Sequence, residues 1–238
     1  MIQKALEYIV GMRKAERFDV DGRPYFDKGL CPVHAPIPKA LTINTLTGLV
    51  DYLNAKKDFS GAVFHGMIYI EGHDTVSLIS PLNVSGFMER SEYLHARHTQ
   101  PVFSFGQYYD VENFIIALQA MFVQDEATAQ LLKIVGNLKD ETSVITKDDG
   151  VTQEVTARQG ISMVAQVALP NPVTLRPFRT FREIAQPASS FVFRIKRTKD
   201  QAPVCALFEA DGKQWQIEAI LSIKEFLANA LPDATIIG

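Results

Sequence analysis

The residues that decide the fold are 110–157, DVENFIIALQAMFVQDEATAQLLKIVGNLK followed by DETSVITKDDGVTQEVTA. The first part has helical texture. Asp110 and Asp125 each precede an apolar-rich run, and a short carboxylate there can accept from the free amides of a first helical turn. Glu112 and Glu126 follow, where aligned amide dipoles favour negative charge. Two helices meeting at Gln124-Asp125 are expected, the second ending near Gly136-Asn137. Then the character changes. β-Branched residues flank Asp148-Asp149-Gly150, the signature of a hairpin closed by a turn that needs positive φ. Helices mostly before residue 140 and strands mostly after it predict an α+β fold with a largely antiparallel, β-rich C-terminal half and a closing helix. One α+β domain over 1–238 is expected, with a subdomain seam near 140 between a helix-rich 1–140 and a β-rich 141–238.

Upstream, residues 2–16 space their apolar side chains three and four apart, as an amphipathic helix does. Asp21-Gly22 predicts a hairpin, and Cys31 to Pro38, with three prolines, predicts an extended connector. Thr45 or Thr47 caps a helix through about Lys56, with Leu46, Leu49, Val50 and Leu53 on one face. Residues 61–82 read as a strand pair turning at Gly72-His73-Asp74, and 86–105 as one or two strands ending at Phe103-Ser104-Phe105. Downstream, ISMVAQVAL, PVTLRPFRTF, SSFVFRIKR and PVCALFEA read as strands. Asp211-Gly212 turns the chain before Trp215, which anchors a closing helix over Ile220–Leu231, and Thr235-Ile236-Ile237 forms a terminal strand.

Composition narrows the functions. With 47 % apolar residues and fifteen Phe, the chain can bury a substantial core. A net charge of −3 argues against coating nucleic acid by bulk charge and leaves only local patches. Cys31 and Cys205 are far apart and outside any CxxC pattern, which excludes a disulfide framework and a Cys-rich zinc site and fits a reducing cytosol. The N-terminus lacks a signal-peptide pattern, and no apolar run reaches the roughly 18 residues that cross a bilayer. No membrane partner is expected.

The segment Arg176–Lys199 is the one that points to chemistry. It carries Arg176, Arg179, Arg182, Arg194, Lys196, Arg197 and Lys199 against one carboxylate, Glu183. Guanidinium groups bind phosphate oxygens bidentately, so Arg176, Arg179, Arg182, Arg194, Lys196 and Arg197 are the candidate phosphate or nucleic-acid contacts. Strand alternation places Phe191, Phe193 and Ile195 on one face and Arg194 and Lys196 on the other. Base stacking needs rings on the cation face, and Phe191 and Phe193 point away from it. The competing reading is an ordinary half-buried sheet, Phe inward and Arg outward.

Other motifs are weaker. His34, His65, His73, His95 and His98 show no metal-ligand spacing. There is no GxSxG elbow, Walker A loop or GxGxxG loop, so no catalytic residue, metal or cofactor is expected. Cys205, inside VCALF, reads as a buried small hydrophobe. Asp19-Val20-Asp21-Gly22 lacks the rest of a calcium loop and is a turn. Glu209, Asp211 and Lys213 have the composition of a metal-dependent nuclease site but no acidic partner upstream.

GVTQEVT (150–156), PNPVTLRPFRTFRE (170–183), FVFR (191–194) and ALFEADG (206–212), with FGQYYDVENFIIALQ and LLKIVGNLKDE, resemble a family of phage and prophage proteins of unknown function. The likeness covers most of the chain and is strongest from about residue 105 onward. It implies a place among early phage genes, near replication and recombination, and no catalytic residue or cofactor. Three functions are consistent with this setting. The first is a non-enzymatic accessory protein in the host cytoplasm that binds nucleic acid or nucleoprotein and self-associates. The second is an inhibitor of host antiviral defence that sequesters a host protein or a signalling nucleotide. The third is a metal-dependent nuclease.

Overall fold

The structure, a computed structural model, describes residues 2–11, 15–20, 23–26, 39–58, 65–82, 88–99, 101–139, 144–148, 153–159, 162–163, 171–196 and 202–238. The chain divides into two units, 1–38 and 39–238. In the first unit, the three-and-four spacing gives helix α1 (Ile2–Gly11), none of whose residues is buried. β1 (Arg17–Val20) and β2 (Arg23–Phe26) pair antiparallel with Val20 opposite Arg23, the register expected for a two-residue hairpin turn. Asp21, Gly22 and the proline-rich connector lie outside the described residues.

In the second unit, local chemistry sets the helix starts. After β3 (Leu41–Ile43), Thr45 Oγ1 accepts from Gly48 N at 3.2 Å and opens α2 (Leu46–Ala55), which Lys56 ends in a left-handed conformation. β4 (Met67–Ile70), β5 (Thr75–Ile79) and β6 (Glu92–Arg97) follow. Past the short β7 (Tyr109–Asp110), Asp110 accepts from Asn113 N at 2.9 Å and caps α3 (Val111–Met121). Asp125 accepts from Thr128 N at 3.0 Å and caps α4 (Glu126–Lys139). β8 (Val144–Asp148), β9 (Gln153–Gln159) and β10 (Ser162–Met163) form a small antiparallel sheet around the expected hairpin. β11 (Val173–Leu175), β12 (Ser189–Lys196), β13 (Val204–Glu209), α5 (Gln214–Ala230) and β14 (Thr235–Ile237) complete the order. The fold is α+β, with two larger, mostly antiparallel sheets.

The four-stranded sheet, in the order β11-β12-β13-β7, carries α3 and α4 on its inner face. Phe114, Phe122, Leu131, Val135, Phe191, Phe193 and Leu207 make its core. The five-stranded sheet, β14-β4-β5-β6-β3, has parallel edge pairs and antiparallel central ones. α2 and α5 supply Leu46, Leu49, Ile223 and Leu227 to its core, with Ile68, Val76, Leu78 and Leu94 from the strands. The first core draws on 103–138 and 173–207, the second on 46–96 and 181–227. The two cores therefore interleave along the chain, Phe181 and Ile184 of the second falling within the span of the first.

Three expectations about elements are corrected. Between 88 and 105 the described residues hold β6 alone, and Phe103 and Phe105 enter an aromatic cluster in place of a strand. The expected strand 172–181 stops at Leu175, because Pro177 has no N–H for a ladder. The closing helix starts at Gln214, so Trp215 lies in its first turn and does not precede it.

Beyond Leu175 the chain leaves the first core, inserts Phe181 and Ile184 into the second, and returns at Ser189. Side-chain bonds hold this crossing. Gln186 Oε1 accepts from Arg179 N and Thr180 N while its amide donates to Phe181 O and Ile184 O. Thr180 Oγ1 donates to His73 O, and Thr47 N donates to Glu183 Oε1.

Candidate nucleic-acid interface

Directly opposed residues of an antiparallel pair point the same way. β12 alternates as the sequence predicts: Phe191, Phe193 and Ile195 are buried against the helices, while Val192, Arg194 and Lys196 face out. The register sets Val192 opposite Phe208, Arg194 opposite Ala206 and Lys196 opposite Val204. Phe208 therefore shares the outer face with both cations. Tyr108, which immediately precedes β7, joins it. Its ring meets that of Phe208 edge-on at 6.2 Å, and Lys196 Nζ lies 5.9 Å from its centre. Tyr108 is 45 % exposed, Lys196 is exposed, and Arg194 and Phe208 are half-buried. Arg194 Nη1 is buried with no hydrogen-bond partner among the described residues. Rings and cations thus lie on one sheet face, the arrangement that binds an unstacked base by its π-face and its phosphate by charge. Asp110, opposite Val204 at the rim, is held below the usual carboxylate range by the backbone amide of Asn113 and then by its side chain.

The remaining predicted contacts do not join this face. Arg179 is 4 % exposed. Its Nη1 bonds Glu209 at 2.6 Å, its Nη2 donates to Ser189 Oγ, and its guanidinium carbon sits 3.8 Å from the Trp215 ring centre, with Phe105 and Phe191 beyond. Burial pushes its pKa down to about 10, against the pull of Glu209 and Asp211. The expectation that Arg179 presents an outward cation is corrected: it follows the end of β11, where strand alternation no longer governs direction. Arg176 pairs with Asp125 at 2.9 Å, and Arg182 stacks 3.5 Å above the Phe178 ring. These two line a separate cleft of ≈ 550 Å³ with Val123, Phe178 and Gln186. Arg197 lies outside the described residues.

The histidines form no metal cluster: among the described residues no three His, Cys, Asp or Glu side chains are placed to hold an ion. His34 is outside those residues. His73 meets the Trp215 ring edge-on at 4.6 Å, and His98 lies 6.2 Å from Phe181. Burial holds both below the usual imidazole range, Arg179 adding to the effect at His73 and Arg182 at His98. His95 Nδ1 is 2.7 Å from Ser77 Oγ, and its Nε2 is 3.2 Å from Glu92 Oε2. That is the membership of a hydrolase triad, but Ser77 is 1 % exposed on a central strand and also bonded to Glu71, so a substrate cannot reach its hydroxyl. Cys205 is buried, its thiol pushed up to about 12, and serves as packing.

Sequence reasoning found Arg194 and Lys196 by alternation and missed Tyr108 and Phe208. The signal for Phe208 is the pairing of two strands, which places it opposite Val192, sixteen positions earlier. No helix among the described residues is long and apolar enough to cross a membrane. Compared with protein-family models, with curated proteins and with solved structures, the chain finds no match in any of the three.

Proposed function

We propose that the chain is a non-enzymatic, phage-encoded accessory protein that binds single-stranded nucleic acid on the outer face of β12 and β13. It acts in the cytoplasm of the infected host, at the early stage that its resemblance to phage proteins implies. The observation that supports this reading is the shared face of Tyr108, Phe208, Arg194 and Lys196. A duplex hides the faces of its bases and offers the rings nothing to stack on, so a single strand is the better fit. Stacking contributes about 1–3 kcal/mol per base whatever the sequence. The cations neutralise phosphates and release counterions, which makes that part of the affinity salt-dependent.

The two contributions separate in one experiment: fluorescence anisotropy of labelled single-stranded and duplex oligonucleotides across a salt series. Single strands bind more tightly. Lys196→Ala lowers the slope of log affinity against log salt by about 0.7. Tyr108→Ala and Phe208→Ala each weaken binding about tenfold and leave the slope unchanged. Wild-type protein that ignores both nucleic acids at low salt sinks the reading. A slope unmoved by Lys196→Ala and Arg194→Ala removes the interface from this face.

A further inference from the structure

We infer that the cleft lined by Arg176 and Arg182 is a second binding site, and that it takes a phosphomonoester, the terminal phosphate of a nucleotide or of a nucleic-acid end. The walls are fixed before any ligand arrives. Phe178 N donates to Met121 O and Val123 N donates to Arg176 O, each at 2.8 Å, tying the crossing segment to the turn between α3 and α4. The side chain of Gln186, also at the cleft, is committed to the backbone of its own loop.

Two guanidinium groups border this concavity. Arg176 is 49 % exposed and uses Nη1 on Asp125, while a guanidinium has five N–H donors in all. Arg182 is exposed, and stacking on Phe178 fixes the plane of its fork. A monoester presents three terminal oxygens to the donors of the two forks, and with Asp125 already answering Arg176 it is this number of acceptors, not a match of charge, that selects it. A diester in a running backbone presents two such oxygens. The volume, ≈ 550 Å³, is that of a small-ligand site. Asp125 stays on Arg176 and orients it, so the ligand shares that cation without having to evict its partner.

The test uses the full chain, with calorimetric titration of AMP and of inorganic phosphate. AMP binds saturably and inorganic phosphate competes with it. Arg182→Ala weakens AMP about tenfold, the scale of losing a charge-assisted hydrogen bond. Arg182→Lys recovers part of the loss, since the charge returns without the fork. Excess 5′-hydroxyl oligonucleotide, which occupies the sheet face alone, leaves AMP binding unchanged, and this keeps the two sites distinct whichever of them fails. Displacement of AMP by a 5′-phosphorylated oligonucleotide but not by its 5′-hydroxyl counterpart identifies a nucleic-acid end as the source. Displacement by neither identifies a free nucleotide. Arg182 is exposed, and unchanged melting of its variants verifies folding. The proposal is overturned if wild type binds neither AMP nor phosphate saturably, or if AMP binding survives both Arg182→Ala and Arg176→Ala.

Discussion

A guanidinium buried as deeply as that of Arg179 is stable only while its charge is answered, and Glu209 and Ser189 answer it. The two ends of this ion pair differ in burial. Glu209 keeps 29 % of its side chain exposed, whereas Arg179 keeps 3 %. Removing the carboxylate strands a buried cation; removing the cation lets the carboxylate turn to water. Glu209→Ala therefore destabilises the protein by about 3 kcal/mol, Asp211 remaining nearby as a partial substitute. Arg179→Met keeps the volume against Trp215 and the two phenylalanines and costs less. Denaturant titration of the two variants checks the order, and a larger loss for Arg179→Met would show that the hydrogen bonds outweigh the desolvation of the charge.

At the scale of elements, Asp125 serves two partners: it caps α4 and holds Arg176. Asp125→Ala loses the cap and destabilises by about 1 kcal/mol. Asp125→Asn still accepts from Thr128 N, so its loss is smaller, as chemical denaturation will measure. Caps of this kind were legible in the sequence. Thr45, Asp110 and Asp125 act on amides within three residues, and no distant contact is needed to place them. Strand faces were legible where the strand existed, as in β12. They give no direction for Arg179, because the strand expected over 172–181 ends at Leu175 and Pro177 beyond it forms only an isolated bridge with Phe122. The aromatic half of the interface was hidden for a different reason. Tyr108 and Phe208 meet through the pairing of β13 with β7 and β12, and register across 100 residues leaves no mark in either stretch alone.

At the scale of the molecule, His73 and His98 make stability depend on pH. Burial keeps both imidazoles neutral, with Asp74 and Glu183 opposing and Arg179 and Arg182 assisting. Their folded pKa values lie below the ordinary 6.5, so below that pH the unfolded chain binds more protons than the folded one. Stability is full above 6.5 and is lost as pH falls from there through the folded values. Unfolding free energy measured between about pH 7.5 and about pH 5.5 should fall in the wild type. His73→Phe with His98→Phe flattens that dependence and retains the ring contacts with Trp215 and Phe181. Trp215, the single tryptophan, reports the transition by its emission. An equally steep dependence in the double variant would assign it to other groups.

The interleaving of the two cores also orders their closure along the chain. The first core has all its strands by Glu209, whereas at that point the sheet begun at Leu41 still lacks Ile223, Leu227 and the edge strand β14. Until α5 docks, the apolar side of β4, β5 and β6 has α2 alone among its helices, and that surface stays open to unwanted neighbours.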